Sequence, residues 1–302
     1  MRTVIFDIGG VVIPWVPERA FEQVMPAHEV PAFMNRIGFA DWNRANDGRV
    51  DIAASEDELA LRFPDDEVGI RGYRQHFLAT VTSMVPGTSA IIAELARAGV
   101  PVSALTNWSA DLFAIARGEF GILERFRDIL VSGQVGVVKP DPAIYRLACE
   151  RLGIAPSRAV FIDDTPANAV AATRAGLTGL TFTSAGRLRE DLVRLGLLGP
   201  PEPVTEPCYH WAPRAEWEAS LASGAYPWSG RGTGYLAEGF VHLSFGHQVD
   251  ATRARFYADL AAGDLTLLRL DPDPGLPIVV EGGFPHLFAP LPVNRVQASN
   301  PA

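Results

Sequence analysis

The chain has 302 residues, 48% of them hydrophobic and 20% charged, which is longer than one ordinary domain, so two are expected. A formal net charge of −9 lacks the basic footprint that binding to nucleic-acid phosphates requires, which leaves small molecules as the expected partners. No apolar run approaches the ~20 residues of a membrane span, and no leader-like cleavage site follows the first residues, so a cytoplasmic location is expected.

From Thr3 to Phe6 runs a β-branched, apolar tetrad ended by Asp7 and Gly9-Gly10, which reads as a buried strand and a tight turn. Amphipathic spacing then predicts helices over 18–37, 52–63 and 66–83, with breaks near Phe39-Ala40, Asp47-Gly48 and Pro64, giving a mostly helical insert at about 15–84. After it helices and strands alternate: helix 87–98, strand 102–105, helix 109–117, strand 128–131, helix 141–152, strand 159–162, helix 166–175, strand 178–182 and helix 186–195. That alternation predicts an α/β fold with a doubly wound parallel sheet, whose ligands sit at the carboxyl ends of the strands. Four prolines within 199–207 read as a semi-rigid linker, dividing a first domain, 1–198, from a second, 208–302. Beyond it the pattern predicts a small α+β domain: strand 208–211, helix 213–223, a glycine-rich loop 229–239, strand 240–244, helix 248–261, strand 265–270 and a strand-rich end, 278–296.

The two cysteines, Cys149 and Cys208, lie in different domains without a CxxC pair, which supports neither a disulfide framework nor a cysteine zinc site. Of the 26 Lys and Arg residues, Lys139 is the single lysine. An arginine-rich coding preference explains this scarcity, and so does a site that wants a compact ammonium instead of a planar guanidinium.

Asp7, Thr106-Asn107 and Asp163-Asp164 each end a predicted strand, so a parallel sheet gathers a hydroxyl, an amide and three carboxylates at one edge. Such acids repel one another unless a hard cation lies between them, and an oxygen-only donor set suits Mg²⁺. Lys139, before Pro140-Asp141-Pro142, reaches the same edge, where its charge stabilises a nucleophile and a phosphoryl group.

Phe6-Asp7-Ile8-Gly9-Gly10-Val11, Leu105-Thr106-Asn107, Val138-Lys139-Pro140-Asp141-Pro142 and Phe161-Ile162-Asp163-Asp164 resemble, in order and spacing, the four motifs of the haloacid dehalogenase superfamily. The likeness covers residues 1–197, and the insert resembles that superfamily's cap. It implies a Mg²⁺-dependent hydrolase of a small phosphorylated metabolite. Asp7 is then the nucleophile that forms an aspartyl-phosphate, with its other oxygen a Mg²⁺ ligand, Thr106 the phosphoryl hydrogen-bond donor and Lys139 the lysine that joins nucleophile and phosphate. Asp164 matches a direct metal ligand, Asp163 one acting through water, the Gly9 carbonyl a further ligand, and Gly10 and Asn107 substrate contacts, with Trp108 lining the pocket. Asn168 reads as a local partner of its own helix. Most phosphatases of the superfamily carry an aspartate two residues after the nucleophile as leaving-group acid. Gly9 stands there instead, so slow turnover, good leaving groups or an acid from the cap, such as Glu18 or Asp41, all remain open. Metal-independent 2-haloacid dehalogenation and a non-catalytic binding role are the alternatives. Trp42 and Asn46-Asp47-Gly48-Arg49 resemble a recurring cap turn, which turn chemistry alone also explains.

Four of the six histidines, His210, His242, His247 and His286, follow the linker. These segments, with Glu216-Trp217, resemble a small bacterial domain of unassigned function related to the ADP-ribosyltransferase fold. The resemblance makes His210, His242, Glu281 and His286 candidates for an NAD site, with a ligand-binding or purely packing module as the other readings. His247, at a helix start, reads as structural.

Overall fold

The computed structural model describes residues 2–200 and 202–299, so Pro201 of the expected linker and the last three residues lie outside it. Contacts group the chain into two compact units. One comprises the residues up to Val85 with Val100–Glu119 and Phe126–Leu188; the other comprises Pro86–Gly99, Phe120–Arg125 and the chain from Arg189 onward. Among the described residues no helix is long and apolar enough to cross a membrane.

The first unit is built on a five-stranded parallel sheet: β1 (Thr3–Phe6), β2 (Val102–Thr106), β3 (Ile129–Val131), β4 (Ala159–Asp163) and β5 (Thr178–Thr181), in the order β3-β2-β1-β4-β5. Every residue of β1, β2 and β4 is buried, as befits central strands covered on both faces. Ile5, Leu105 and Phe161 pack against Ile144, Tyr145 and Cys149 of the helix Pro142–Leu152, and each large side chain so buried contributes about 1.5–3 kcal/mol relative to exposure. That helix carries its signals in sequence: Asp141 accepts the Ala143 amide at the N-terminus, Pro142 occupies the first turn, and Gly153 closes the end in the left-handed region. Both cysteines are free and buried.

Between β1 and β2 lies the helical insert. Its first expected helix is two, Glu18–Phe21 and Val30–Ile37, because Pro26 stands in the connecting turn. The break expected near Phe39-Ala40 falls one residue earlier. Gly38, at φ 66°, ends one helix and Phe39–Asn46 begins the next. The stretch 66–83 is a helix, Glu67–Gln75, followed by a short 3-10 turn, Phe77–Thr80. Aromatic rings knit the insert together: Tyr73 lies 5.0 Å from Phe39, 5.7 Å from Phe21 and 5.9 Å from Trp42.

The second unit is antiparallel. β6 (Cys208–Pro213) is central to a four-stranded sheet with Ser244–Phe245, Leu265–Leu270 and Val296–Ser299, and a three-stranded sheet joins Val241–His242, Phe284–Leu287 and Ile278–Glu281. The single strand expected over 240–244 is therefore two short ones in different sheets. The glycine-rich stretch 229–239 is more ordered than expected, with Trp228–Gly230 paired to Thr233–Gly234 and a helical turn at Tyr235–Glu238. The helix expected over 248–261 spans Val249–Phe256, and Tyr257 turns inward against Trp211 and Leu265. Ala90 and Ala93 of the helix Thr88–Arg97 pack on Phe240, Val279 and Phe288 in this unit.

Candidate active site

Asp7 is the residue after β1, and its amide donates to the Ile162 carbonyl of β4 at 2.8 Å. This pairing of adjacent strands sets Asp7 beside Asp163 and Asp164, where the strand order reverses. Carboxylate oxygens of Asp7, Asp163 and Asp164 lie within 4.8 Å of one another. Lys139 Nζ reaches into the group, 2.9 Å from Asp7 Oδ1 and 2.7 Å from Asp163 Oδ2. Asp7 Oδ1 also accepts the Ile8 amide at 2.7 Å, which leaves Oδ2 as the oxygen these contacts do not occupy.

The charges do not balance by themselves. Three carboxylates face one ammonium, and burial, with Asp163 and Asp164 adding to it, holds the Asp7 carboxyl well above the ordinary carboxylate range despite Lys139. Burial and Asp163 raise Asp164 as well. Lys139 stays protonated, because Asp7 and Asp163 together outweigh the burial that works against its charge. Such a donor set, oxygen-only and short of positive charge, fits a hard divalent cation. The approach of Asp164 to the first loop fixes a glycine: Gly10 has φ +71°, and a Cβ there would stand 2.1 Å from Asp164 Oδ2.

Several expected site residues serve as braces. Asp163 is saturated: besides Lys139 it accepts the Thr165 amide at 2.8 Å and the Asn168 side-chain amide at 3.0 and 3.1 Å. Asn168, expected to be a partner of its own helix, instead braces Asp163 at the end of β4. Asn107 lines the cleft, yet its amide clamps the backbone of Lys139, donating to the carbonyl at 2.9 Å and accepting the N–H at 2.8 Å. Thr106 is buried at the end of β2 and lines the cleft, as do Gly9, Gly10 and Trp108.

The cleft, about 320 Å³, is completed by the insert: Trp15, Asn43, Asn46, Asp47, Ile52 and Tyr73 line it, with Ser109 opposite. Asn46 Oδ1 and Ser109 Oγ are buried without a hydrogen-bond partner. Of the cap acids expected to face the site, Asp41 is turned to solvent and paired with Arg44 at 3.2 Å, and Glu18, on the first insert helix, does not line the cleft. Asp47 does. Its segment is stitched to the core: Ala110 and Asp111 amides donate to the carbonyls of Arg49 and Val50, each at 3.0 Å, and Ser132 Oγ donates to the Asp47 carbonyl. These contacts join residues far apart in sequence, which is why a turn motif alone did not single Asp47 out.

In the second unit the four candidates do not converge on one cavity. His210, pushed down to about 4 by burial, sets Nδ1 2.7 Å from the His242 carbonyl oxygen and Nε2 3.4 Å from the Tyr226 hydroxyl. His210 and His242 line a pocket of about 280 Å³ with Trp211, Ser229 and Tyr257. Glu281 and His286 line no part of it. Glu281 accepts both terminal nitrogens of Arg125, at 2.8 and 2.9 Å, and meets His286 Nδ1 at 3.1 Å. A glutamate so committed is not free to activate a ribose, and the NAD expectation finds no support in this arrangement.

Residues 1–176 match the haloacid dehalogenase-like hydrolase family, and the chain belongs to it. Residues 211–299 match a family described as a protein of unknown function (DUF952), so the ADP-ribosyltransferase likeness remains a resemblance. Phosphoserine phosphatase of Thermus thermophilus is 32% identical over 108 residues, 36% of this chain and 43% of that one, so the chain spans less than half of that relative. Protein CbbY of Cereibacter sphaeroides is 28% identical, over 65% of this chain and 94% of its own. Hexitol phosphatase A of Escherichia coli is 28% identical, over 57% and 78%. A family enzyme from Bacteroides thetaiotaomicron, solved with magnesium and inorganic phosphate, shares the fold, with a TM-score of 0.50 and 19% identity over 61% of this chain and 95% of that one.

Proposed function

We propose that the first domain, residues 1–198 with its cap at about 15–84, is a Mg²⁺-dependent phosphomonoesterase that works through an aspartyl-phosphate on Asp7. The observation that carries this reading is the Asp7 carboxylate itself. One oxygen is held by the Ile8 amide and Lys139, and the other is left for an in-line attack on phosphorus. Asp7, Asp164 and the Gly9 carbonyl would hold the cation, and Asp163 would orient its water and Lys139. Bound there, Mg²⁺ would neutralise the phosphoryl oxygens. Thr106 donates to the phosphoryl group, while Asn107 acts through the Lys139 backbone. The rest of the cleft fits a hydroxylated, sugar- or polyol-like carbon chain: Trp15, Tyr73 and Trp108 offer aromatic faces, and Asn46 Oδ1 and Ser109 Oγ offer unpaired polar atoms. The name of hexitol phosphatase A accords with that class.

Phosphate release from a panel of sugar, polyol and amino-acid phosphates tests this, with Mg²⁺ or EDTA, for the wild type and Asp7→Asn. Activity that requires both Mg²⁺ and Asp7 is expected. Release that persists in EDTA or in the variant overturns the reading.

A further inference from the structure

We propose that Asp47 is the leaving-group acid of this hydrolase, supplied by the cap to the position that Gly9 leaves without a proton donor. The inference rests on the phosphomonoesterase reading and deepens it. Asp47 is the one acid of the insert that lines the cleft, which it shares with Asp7 and Gly9. It is half-buried and held in place by its own backbone: the segment 47–52 bonds to the start of the helix Ala110–Arg117 and to Ser132. Gly133 enforces that seating, since a Cβ there would meet the Arg49 carbonyl oxygen at 2.4 Å and the Ala110 nitrogen at 2.5 Å. Burial pushes the Asp47 carboxyl up to about 6, with Lys139 and Arg44 pulling the other way, so about a tenth of it stays protonated at pH 7 and more below. The other titratable groups around it are Tyr73, whose hydroxyl feels its charge, and the cleft acids Asp7 and Asp164.

The step balances. Asp7 Oδ2 forms a bond to phosphorus, the bond from phosphorus to the ester oxygen breaks with its electron pair on that oxygen, and the Asp47 carboxyl hydroxyl gives it a proton. Asp47, now a carboxylate, takes a proton from the water that hydrolyses the aspartyl-phosphate, and the acid is restored.

The test compares an ester that needs an acid, glycerol 2-phosphate, with one that does not, 4-nitrophenyl phosphate, for wild type, Asp47→Asn and Asp47→Asn with Gly9→Asp. General acid catalysis contributes about 10²–10⁴-fold, so Asp47→Asn is expected to lose about 10²-fold or more of kcat on the glycerol ester. The loss on the nitrophenyl ester should be at least tenfold smaller. The fall of kcat with rising pH that the wild type shows on the glycerol ester should vanish in the variant. The double variant should recover activity on that ester, because a Cβ at Gly9 meets nothing within 4 Å. Equal losses on both esters, or an unchanged rate on the glycerol ester, overturn the role of Asp47. A wild type silent on both esters with Mg²⁺ removes the phosphomonoesterase reading itself. Thermal melts of the variants establish that they fold.

Discussion

Replacing Lys139 with methionine keeps the aliphatic stem and removes the one positive charge among three carboxylates. The ammonium is 1% exposed and ion-paired to Asp7 and Asp163, whose side chains are 10% and 0% exposed. Removing one partner of a buried pair costs about 3–5 kcal/mol. Here the lower end, about 3 kcal/mol, is expected, because Asp163 keeps the Thr165 amide and Asn168, and Asp7 keeps the Ile8 amide. The sign with pH follows from Asp7, whose carboxyl already sits above its ordinary range and rises further without the lysine. A group with a raised folded-state pKa favours the fold when protonated, so the deficit should be widest above neutral pH and narrow on acidification. Mg²⁺ should restore more stability to the variant than to the wild type, since it supplies the missing charge. Urea denaturation at pH 8 and pH 5.5, in EDTA and in Mg²⁺, measures all of this. A variant within about 0.5 kcal/mol of the wild type at pH 8 in EDTA, or a deficit constant across pH, would refute the electrostatic account, since surface-like substitutions stay within that margin.

Gly10→Ala forces a left-handed residue and drives Asp164 away; about 1 kcal/mol of stability should go, with phosphate release falling more than about tenfold because Asp164 is displaced, as melts and kinetics on the same preparation would show. Gly133→Ala wedges the cap segment off the core, and overpacking of about 1–3 kcal/mol should appear with faster hydrogen exchange at Ala110 and Asp111; unchanged exchange would count against the stitching. In the second unit, Arg125→Ala should cost about 1.5–3 kcal/mol at neutral pH, the range for a charged hydrogen bond. Burial works to raise the Glu281 carboxyl, but His286 and Arg125 outweigh it and bring it down to about 2. The wild type's advantage is therefore present above the ordinary pKa of 4.5 and should fade as pH falls toward 2; urea melts at pH 7 and pH 3 that differ equally would contradict this.

Local chemistry made the first unit legible. The Thr3–Phe6 strand, the Asp141-Pro142 helix start and the strand ends at Asp7, Thr106 and Asp163 are each specified by adjacent residues, and parallel topology then gathers them without further information. Asp47 was not legible as a cleft residue, because Asn-Asp-Gly describes a turn wherever it occurs. Only the bonds to Ala110, Asp111 and Ser132 aim this one at the cleft. The family resemblance makes Asn107 a substrate contact, and nothing local in the sequence shows that the Lys139 backbone takes both its donor and its acceptor. In the second unit, strands of two residues leave too little period to count. The pairing of Arg125 with Glu281 spans 156 positions, a separation at which sequence pattern carries no signal.

The scarcity of lysine has a practical side. The chain presents one ε-amine, 1% exposed and paired to Asp7 and Asp163. Among side chains, an amine-directed acylating reagent therefore finds a single target, and the rate at which it arrives measures how often the pairing with Asp7 and Asp163 opens to solvent. Phosphate bound above Lys139 should shield it. Because Pro140 follows, the one bond on the carboxyl side of a lysine is a Lys-Pro bond, a poor substrate for a protease that cuts there.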